Sequence, residues 1–547
     1  MSQRQFIFAL LATVAIITGC GGGQPGTASA SQEPDPPQEP APPNPPDPPN
    51  PPNPPDQPIG NVNIEIYDDA AYHVHPAGQT FTVSVKVEHA GAAAIYCQWQ
   101  DFRKRPLGNP VLLIPGELKT IQSPDTTVGY YGLVFKTDND TAVLPNRQPG
   151  ESREYGFAIL APRTTSERRI EAASPFGMVH ADMQDPYLPV WIKTATWKTF
   201  SPAEWLSAME RRRGLGMLEL PLVLGDAWDS NDSNPISSAQ LTELETKMRQ
   251  YFAADPSVLY WELGLEENLE PRFDRPYYWD NLEAKARAVR QAANAVNPGI
   301  KLIYQIAELG TGPVQKFLQS KAAGYFDILS LHPYAWPDFP SPEEWMAGYL
   351  QNIRTLMQQN NVQMPIWYTE VGAPHQGNYP GGFFGYPDSG EEVQGLSREE
   401  AVNYIIKTHV LALHLGVEKM FWYNYMDQGM ARDYAEDHFG IRDYWGFPKP
   451  VYTAYFTLHS HLNGKNPVSA KQLPDNIRVY RFEGATENTL VAWVYPGDER
   501  LVPLDALQAG LLPADILETV SAVGTPLSLD GNAIRIAGAP VFITTKK

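Results

Sequence analysis

The chain has 547 residues, a hydrophobic fraction of 43% and a formal charge of -20. That length exceeds an ordinary single domain and predicts three folded parts, with ample apolar content for sizeable cores. The acidic balance argues against a nucleic-acid-binding surface and otherwise bears on solubility alone.

At the start, Arg4 gives a thin positive charge and Phe6 to Ile17 form an apolar run too short for a comfortable membrane span. The run ends in Ile17-Thr-Gly-Cys20. This resembles the bacterial lipoprotein box, which implies a signal peptide over residues 1–20, lipidation of Cys20 and attachment to a membrane through that lipid. An ordinary secretory signal with an incidental Cys20 is the other reading. Gly21 rather than Asp follows the cysteine, so by analogy the expected place is the outer membrane of a bacterial cell envelope. With two cysteines in all and Cys20 lipidated, no intrachain disulfide is expected. Cys97 lies in the apolar run Ile95-Tyr-Cys-Gln-Trp99, which predicts inert burial.

Residues 21–60 are small and then proline-rich, with Pro-Pro-Asn/Asp repeated. Such a tract cannot pack a core and favours an extended polyproline spacer of about 3.1 Å per residue. Residues 61–165 read as an Ig-like β-sandwich. Phe81, Val83, Val85 and Val87 alternate with polar residues, as do Tyr155, Phe157 and Ile159. Asp138-Asn-Asp140 lacks the remaining ligands of a calcium loop and reads as a turn, so no metal is expected.

Over residues 170–463 short apolar runs alternate with helical patterns, the signature of βα units. Strands are expected at Phe176–His180, Val190–Thr194, Met217–Val223, Leu259–Gly264, Leu302–Ile306, Phe326–Leu331, Ile366–Thr369 and Met420–Tyr423. They suffice for a (β/α)8 TIM barrel, an α/β fold. Capping-box patterns at Ser201, Ser237, Ser341 and Ser397 predict helix starts. The first two strands leave room for little helix, so the first βα unit is expected to be degenerate. Residues 465–547 return to strands, as in Leu490-Val-Ala-Trp-Val-Tyr495, and predict a small C-terminal β-sandwich.

The chemistry gathers at two strand ends. Val258-Leu-Tyr-Trp-Glu-Leu-Gly-Leu-Glu-Glu-Asn-Leu-Glu-Pro271 passes from an apolar run to a cluster of carboxylates, and Met364-Pro-Ile-Trp-Tyr-Thr-Glu-Val-Gly372 delivers Glu370 in the same way. In a parallel barrel both would emerge at the face that carries catalysis. Two carboxylates facing each other across a sugar suit glycoside hydrolysis, and neighbouring rings suit the apolar faces of pyranoses.

Trp261-Glu-Leu-Gly-Leu-Glu-Glu-Asn-Leu269 resembles the acid/base motif of clan A glycoside hydrolases, closest to family 39 and its relatives, where Trp-Glu-x-x-Asn-Glu-Pro-Asn-Leu is typical. Tyr368-Thr-Glu-Val-Gly372 is similar to their nucleophile motif, and Asp327-Ile-Leu-Ser-Leu-His-Pro-Tyr334 to their sixth strand. Phe439-Gly-Ile and Pro448-Lys-Pro-Val-Tyr452 resemble the segment after their eighth strand. The resemblance spans roughly Phe176 to Leu462. It implies a retaining glycosidase without cofactor, with Glu266 as acid/base and Glu370 as nucleophile. It implies substrate contacts from His180, Lys193, Trp197, His332, Tyr334 and Trp422, on a polysaccharide or oligosaccharide.

Three positions depart from the pattern. Leu265 replaces the Asn that holds the sugar 2-hydroxyl, Glu267 replaces Pro, and Lys193 stands where the clan often has Arg. A register in which Glu267 acts as the acid is thereby left open. So are two other kinds of protein: a non-catalytic carbohydrate-binding lipoprotein on a decayed barrel, and a structural envelope protein. Ala373 to Gly395, rich in glycine and aromatics, is expected to wall the cleft or to pack on the C-terminal sandwich.

Overall fold

The computed structural model describes residues 59–88, 94–138, 143–145, 154–161, 173–181, 184–189, 191–196, 202–223, 228, 232–339, 341–375, 378–380, 392–431 and 434–547. Cys20, Trp197, Ser201 and most of the glycine-rich stretch after Ala373 lie outside them.

Eight parallel strands close into a barrel in sequence order. They are β1 (Phe176–Val179), β2 (Trp191–Thr196), β3 (Leu218–Val223), β4 (Tyr260–Leu263), β5 (Lys301–Ala307), β6 (Ile328–His332), β7 (Ile366–Val371) and β8 (Val417–Trp422). The helices are α1 (Pro202–Gly214), α2 (Ser238–Ala254), α3 (Tyr278–Val296), α4 (Thr311–Gln319), α5 (Met346–Gln359), α6 (Arg398–His414) and α7 (Pro450–Leu462). Among the described residues, the link from β1 to β2 holds turns and no helix. Ser237 and Ser397 close the expected capping boxes on α2 and α6. Ser341 does not. It opens a short 3-10 turn, Pro342–Glu344, its hydroxyl turns to Glu343, and α5 begins only at Met346.

Before the barrel, two sheets face each other. One has four strands with Thr82–Glu88 inside it; the other has five, with Glu154–Leu160 beside Gly129–Thr137. Val83, Val85 and Val87 are buried between them, as alternation demands. Glu154–Leu160 is buried on both faces, because Ala158 and Leu160 belong to the barrel's core while Phe157 and Ile159 belong to the sandwich's own. The contact is reciprocal. Phe447, on the link from β8 to α7, inserts into the sandwich core and stacks on His73 at 3.9 Å between ring centres. Arg442 from the same link donates to the Tyr72 carbonyl at 2.8 Å. Cys97 is buried here as a free thiol, and that burial pushes it up to about 12.

After the barrel, a five-stranded antiparallel sheet and a two-stranded ribbon enclose a smaller core. Trp493 in this sheet donates to Glu343 at 2.7 Å, and Tyr480, Phe482 and Phe542 join the barrel's cluster. No helix among the described residues is long and apolar enough to cross a membrane.

Candidate active site

The loop after β4 is set by Gly264. Its φ is +76°, and a Cβ there would meet the Trp228 indole nitrogen at 2.7 Å and the Glu267 carboxyl at 2.9 Å. The chain then places Glu266 in the left-handed region, at φ 44° and ψ 39°. Such strain in a residue with a Cβ persists only where the surroundings over-determine it. Asn268 fastens the loop to the end of β5, accepting from Ala307 N at 2.9 Å and donating to Ala307 O at 3.1 Å.

On β7 the register against β8 slips. Tyr368 faces Met420, but Val371 faces Trp422, so β7 carries one extra residue. A bulge of this kind re-aims side chains. Here Thr369 and Glu370, although adjacent, both reach groups inside the mouth of the barrel. Just beyond, Gly372 is obligatory, since a Cβ would lie 2.1 Å from the Tyr423 carbonyl oxygen.

Glu266, His332 and Glu370 meet at this face. The His332 Nδ1 lies 2.7 Å from a Glu266 oxygen and 3.8 Å from a Glu370 oxygen. One atom from each of the three falls within 4.8 Å of the others. Lys193 on β2 donates to Glu370 at 3.0 Å and faces Glu262 at 2.8 Å. Tyr334 donates to the other Glu370 oxygen at 3.0 Å. Burial alone would raise Glu370, but the Lys193 ammonium beside it outweighs that, so its carboxyl is held well below the usual range. Burial likewise opposes the charge on Lys193, but Glu262 and Glu370 raise its pKa and keep it an ammonium. Among the described residues this is the one cluster with metal-ligand spacing. Its atoms are already paired, and an ammonium 3.0 Å from Glu370 opposes a dication.

Of the remaining expected contacts, His180 is exposed at the end of β1, its ring centre 6.1 Å from that of Tyr423. Trp197 lies outside the described residues. Trp422 is not at the site. It is fully buried, with its ring turned outward to Tyr404 and His409 of α6. Side chains alternate along β8, so it is the next residue, Tyr423, that faces Tyr334 and Phe439. Trp228, Trp261 and Trp367 are core residues. Glu267 is buried against Arg272 at 3.0 Å, Tyr278 at 2.7 Å and Trp228 at 2.9 Å, which removes the register that would make it the acid.

Two further carboxylates border the cleft. Glu308 follows β5, and burial followed by the field of Glu266 raises its pKa. It carries the same strand-then-carboxylate signal as Glu266 and Glu370, and sequence reasoning passed over it. Glu436 lies in the link after β8 and accepts from Tyr423 at 3.1 Å. Burial pushes it up to about 7, with Glu266 and Glu370 adding to the rise against that hydrogen bond. No pattern in the sequence marks Glu436.

Solved structures share the fold of this chain. A family 39 glycoside hydrolase from the gut symbiont Bacteroides cellulosilyticus WH2 superimposes with a TM-score of 0.61 at 17% identity, over 89% of this chain and 100% of that one. A family 30 subfamily 8 xylanase from Clostridium acetobutylicum gives a TM-score of 0.45 at 13% identity, over 69% of this chain and 98% of the other. No family model matches the sequence, and no curated protein does.

Proposed function

We propose that this chain is a retaining glycoside hydrolase acting on a polysaccharide or oligosaccharide. One observation carries the reading: an oxygen of Glu266 and an oxygen of Glu370 lie within 4.8 Å of each other. Retaining enzymes hold their carboxyl groups about 5–5.5 Å apart, whereas inverting ones need about 6.5–9.5 Å to admit a water. Glu370, kept ionised by Lys193, attacks the anomeric carbon as Glu266 gives its proton to the leaving oxygen. Glu266 then takes a proton from the water that releases the glycosyl-enzyme. The likeness in fold to a family 39 enzyme agrees with this reading.

The test is a screen of polysaccharides and aryl glycosides, with product anomers followed by NMR. Retention, lost in Glu370→Gln, is expected; an inverted product, or near wild-type turnover in that variant, overturns the assignment. A second reading rests on Leu265, which is half-buried beside Glu266 and offers no hydrogen-bonding group. A carbohydrate-binding protein on a decayed barrel would bind glycans without turning them over.

We also propose that the protein is anchored at a bacterial cell surface through lipid on Cys20, held off the membrane by the proline-rich segment. Cys20→Ala would then release a soluble protein or stall its processing. Unchanged fractionation with normal processing would count against it.

A further inference from the structure

A buried chain of polar contacts joins the two catalytic glutamates beneath the cleft, and for a neutral His332 its proton bookkeeping has one consistent solution. Thr369 Oγ1 touches three groups: a Glu262 oxygen, the Ser330 hydroxyl at 2.5 Å and His332 Nε2 at 2.9 Å. A threonine hydroxyl has one proton to give and two lone pairs to receive. Glu262 is an acceptor as the carboxylate facing the Lys193 ammonium at 2.8 Å, so Thr369 donates to Glu262. Ser330 Oγ already accepts the Thr369 backbone N–H at 3.3 Å, which leaves its own proton for Thr369 Oγ1. The remaining lone pair of Thr369 therefore receives a proton from His332 Nε2. Lys193 lies 3.5 Å from Nε2, at the limit of a hydrogen bond, and gives its short contacts to Glu262 and Glu370.

With Nε2–H fixed, Nδ1 of a neutral His332 carries a lone pair, and it points at Glu266 from 2.7 Å. A contact that short between two acceptors would be repulsive, so the proton between them belongs to Glu266. We infer that His332 is neutral and that Glu262 and Thr369 are positioning residues that set its tautomer, so that Nδ1 accepts a hydrogen bond from the protonated Glu266 carboxyl until that proton passes to the leaving oxygen. The inference rests on Glu266 being the acid/base. The same lone pair facing Glu266 after its proton has left makes the carboxylate a better base toward water in the second step. Glu266 is faced by His332 from β6 and Glu370 from β7, with Glu308 at the end of β5 and Glu436 after β8 in electrostatic reach.

The first test needs no substrate. Proton–nitrogen correlation spectra of histidine-labelled wild-type protein, with the His332 signals assigned by their loss in His332→Gln, should show a protonated Nε2 and a bare Nδ1 near neutral pH. The opposite tautomer, or an imidazolium, overturns the inference. The second test is kinetic. Thr369→Val should lower kcat/KM about 100-fold on a phenyl glycoside, the scale of lost general-acid assistance. It should change little on the matching dinitrophenyl glycoside, whose leaving group departs without a proton, and Thr369→Ser should restore both. Equal losses on the two substrates would mean a merely structural role and overturn it. If Thr369→Val does not fold, the wild-type tautomer alone decides. Absence of turnover on every glycoside would remove the acid/base role of Glu266 and still leave the tautomer to be read.

Discussion

Glu267 and Glu370 are both carboxylates held below their ordinary range, each by a neighbouring cation, yet they serve different ends. Glu267 is sealed: its partners Arg272, Tyr278 and Trp228 close around it and leave it 1% exposed. Glu370 is built the same way underneath, by Lys193, but its side chain keeps 12% of its surface open toward the cleft. Glu266, next to Glu267, shares that openness at 21%. A depressed carboxylate is therefore no mark of chemistry by itself. Access to the barrel mouth, together with a second carboxylate across it, separates the two cases.

The contrast breaks most visibly at Glu370. Glu370→Gln should lower kcat by at least about 10,000-fold with little change in melting temperature. Steady-state kinetics beside a thermal melt would check it. Glu266→Ala should cost about 100- to 10,000-fold on substrates with poor leaving groups and much less on activated ones. In Glu267→Gln the loss should fall on stability instead. Breaking the buried Glu267–Arg272 pair costs about 3–5 kcal/mol in chemical denaturation, with Arg272 keeping Glu270 at 2.8 Å, while kcat of the folded protein stays near wild type.

Lys193→Met sharpens the comparison through pH. Because Glu370 is depressed, its carboxylate and the stability it contributes are present above the ordinary range and are lost only as pH falls through the lowered value. Removing the ammonium should move the acid limb of kcat/KM upward by about 1–3 pH units, with acid unfolding moving the same way. The smallest effect belongs to Trp422→Phe, which should cost about 1–3 kcal/mol of stability and leave KM unchanged. Tyr423→Ala should raise KM. If instead Trp422→Phe raised KM at unchanged stability, its burial against α6 would be the wrong account.

Much of the barrel was legible because a strand buried on both faces reads as an apolar run, and each run lies on one of the eight strands. The same signal located Glu266 and Glu370 and should have located Glu308. What lay beyond it depended on geometry that no single stretch contains. The slip between Tyr368 and Val371 decides that Thr369 joins the site, and only strand pairing reveals it. Trp422 was misassigned because a run of aromatics does not say which ring faces outward. Glu267 was ambiguous until Arg272, Tyr278 and Trp228, distant or unremarkable in sequence, closed around it.

The insertion of Phe447 into the preceding sandwich bears on how such a protein could be inherited. The link that carries Phe447 also carries Glu436 and follows Tyr423, so the wall of the cleft is tied to a socket formed by His73, Tyr155 and Phe157. A gene fragment encoding the barrel alone would leave that ring in water and the link without its tether. Recombination that exchanged the sandwich for an unrelated module would face the same fault. The two are suited to pass between genomes together, and relatives should be sought with the pair as one unit.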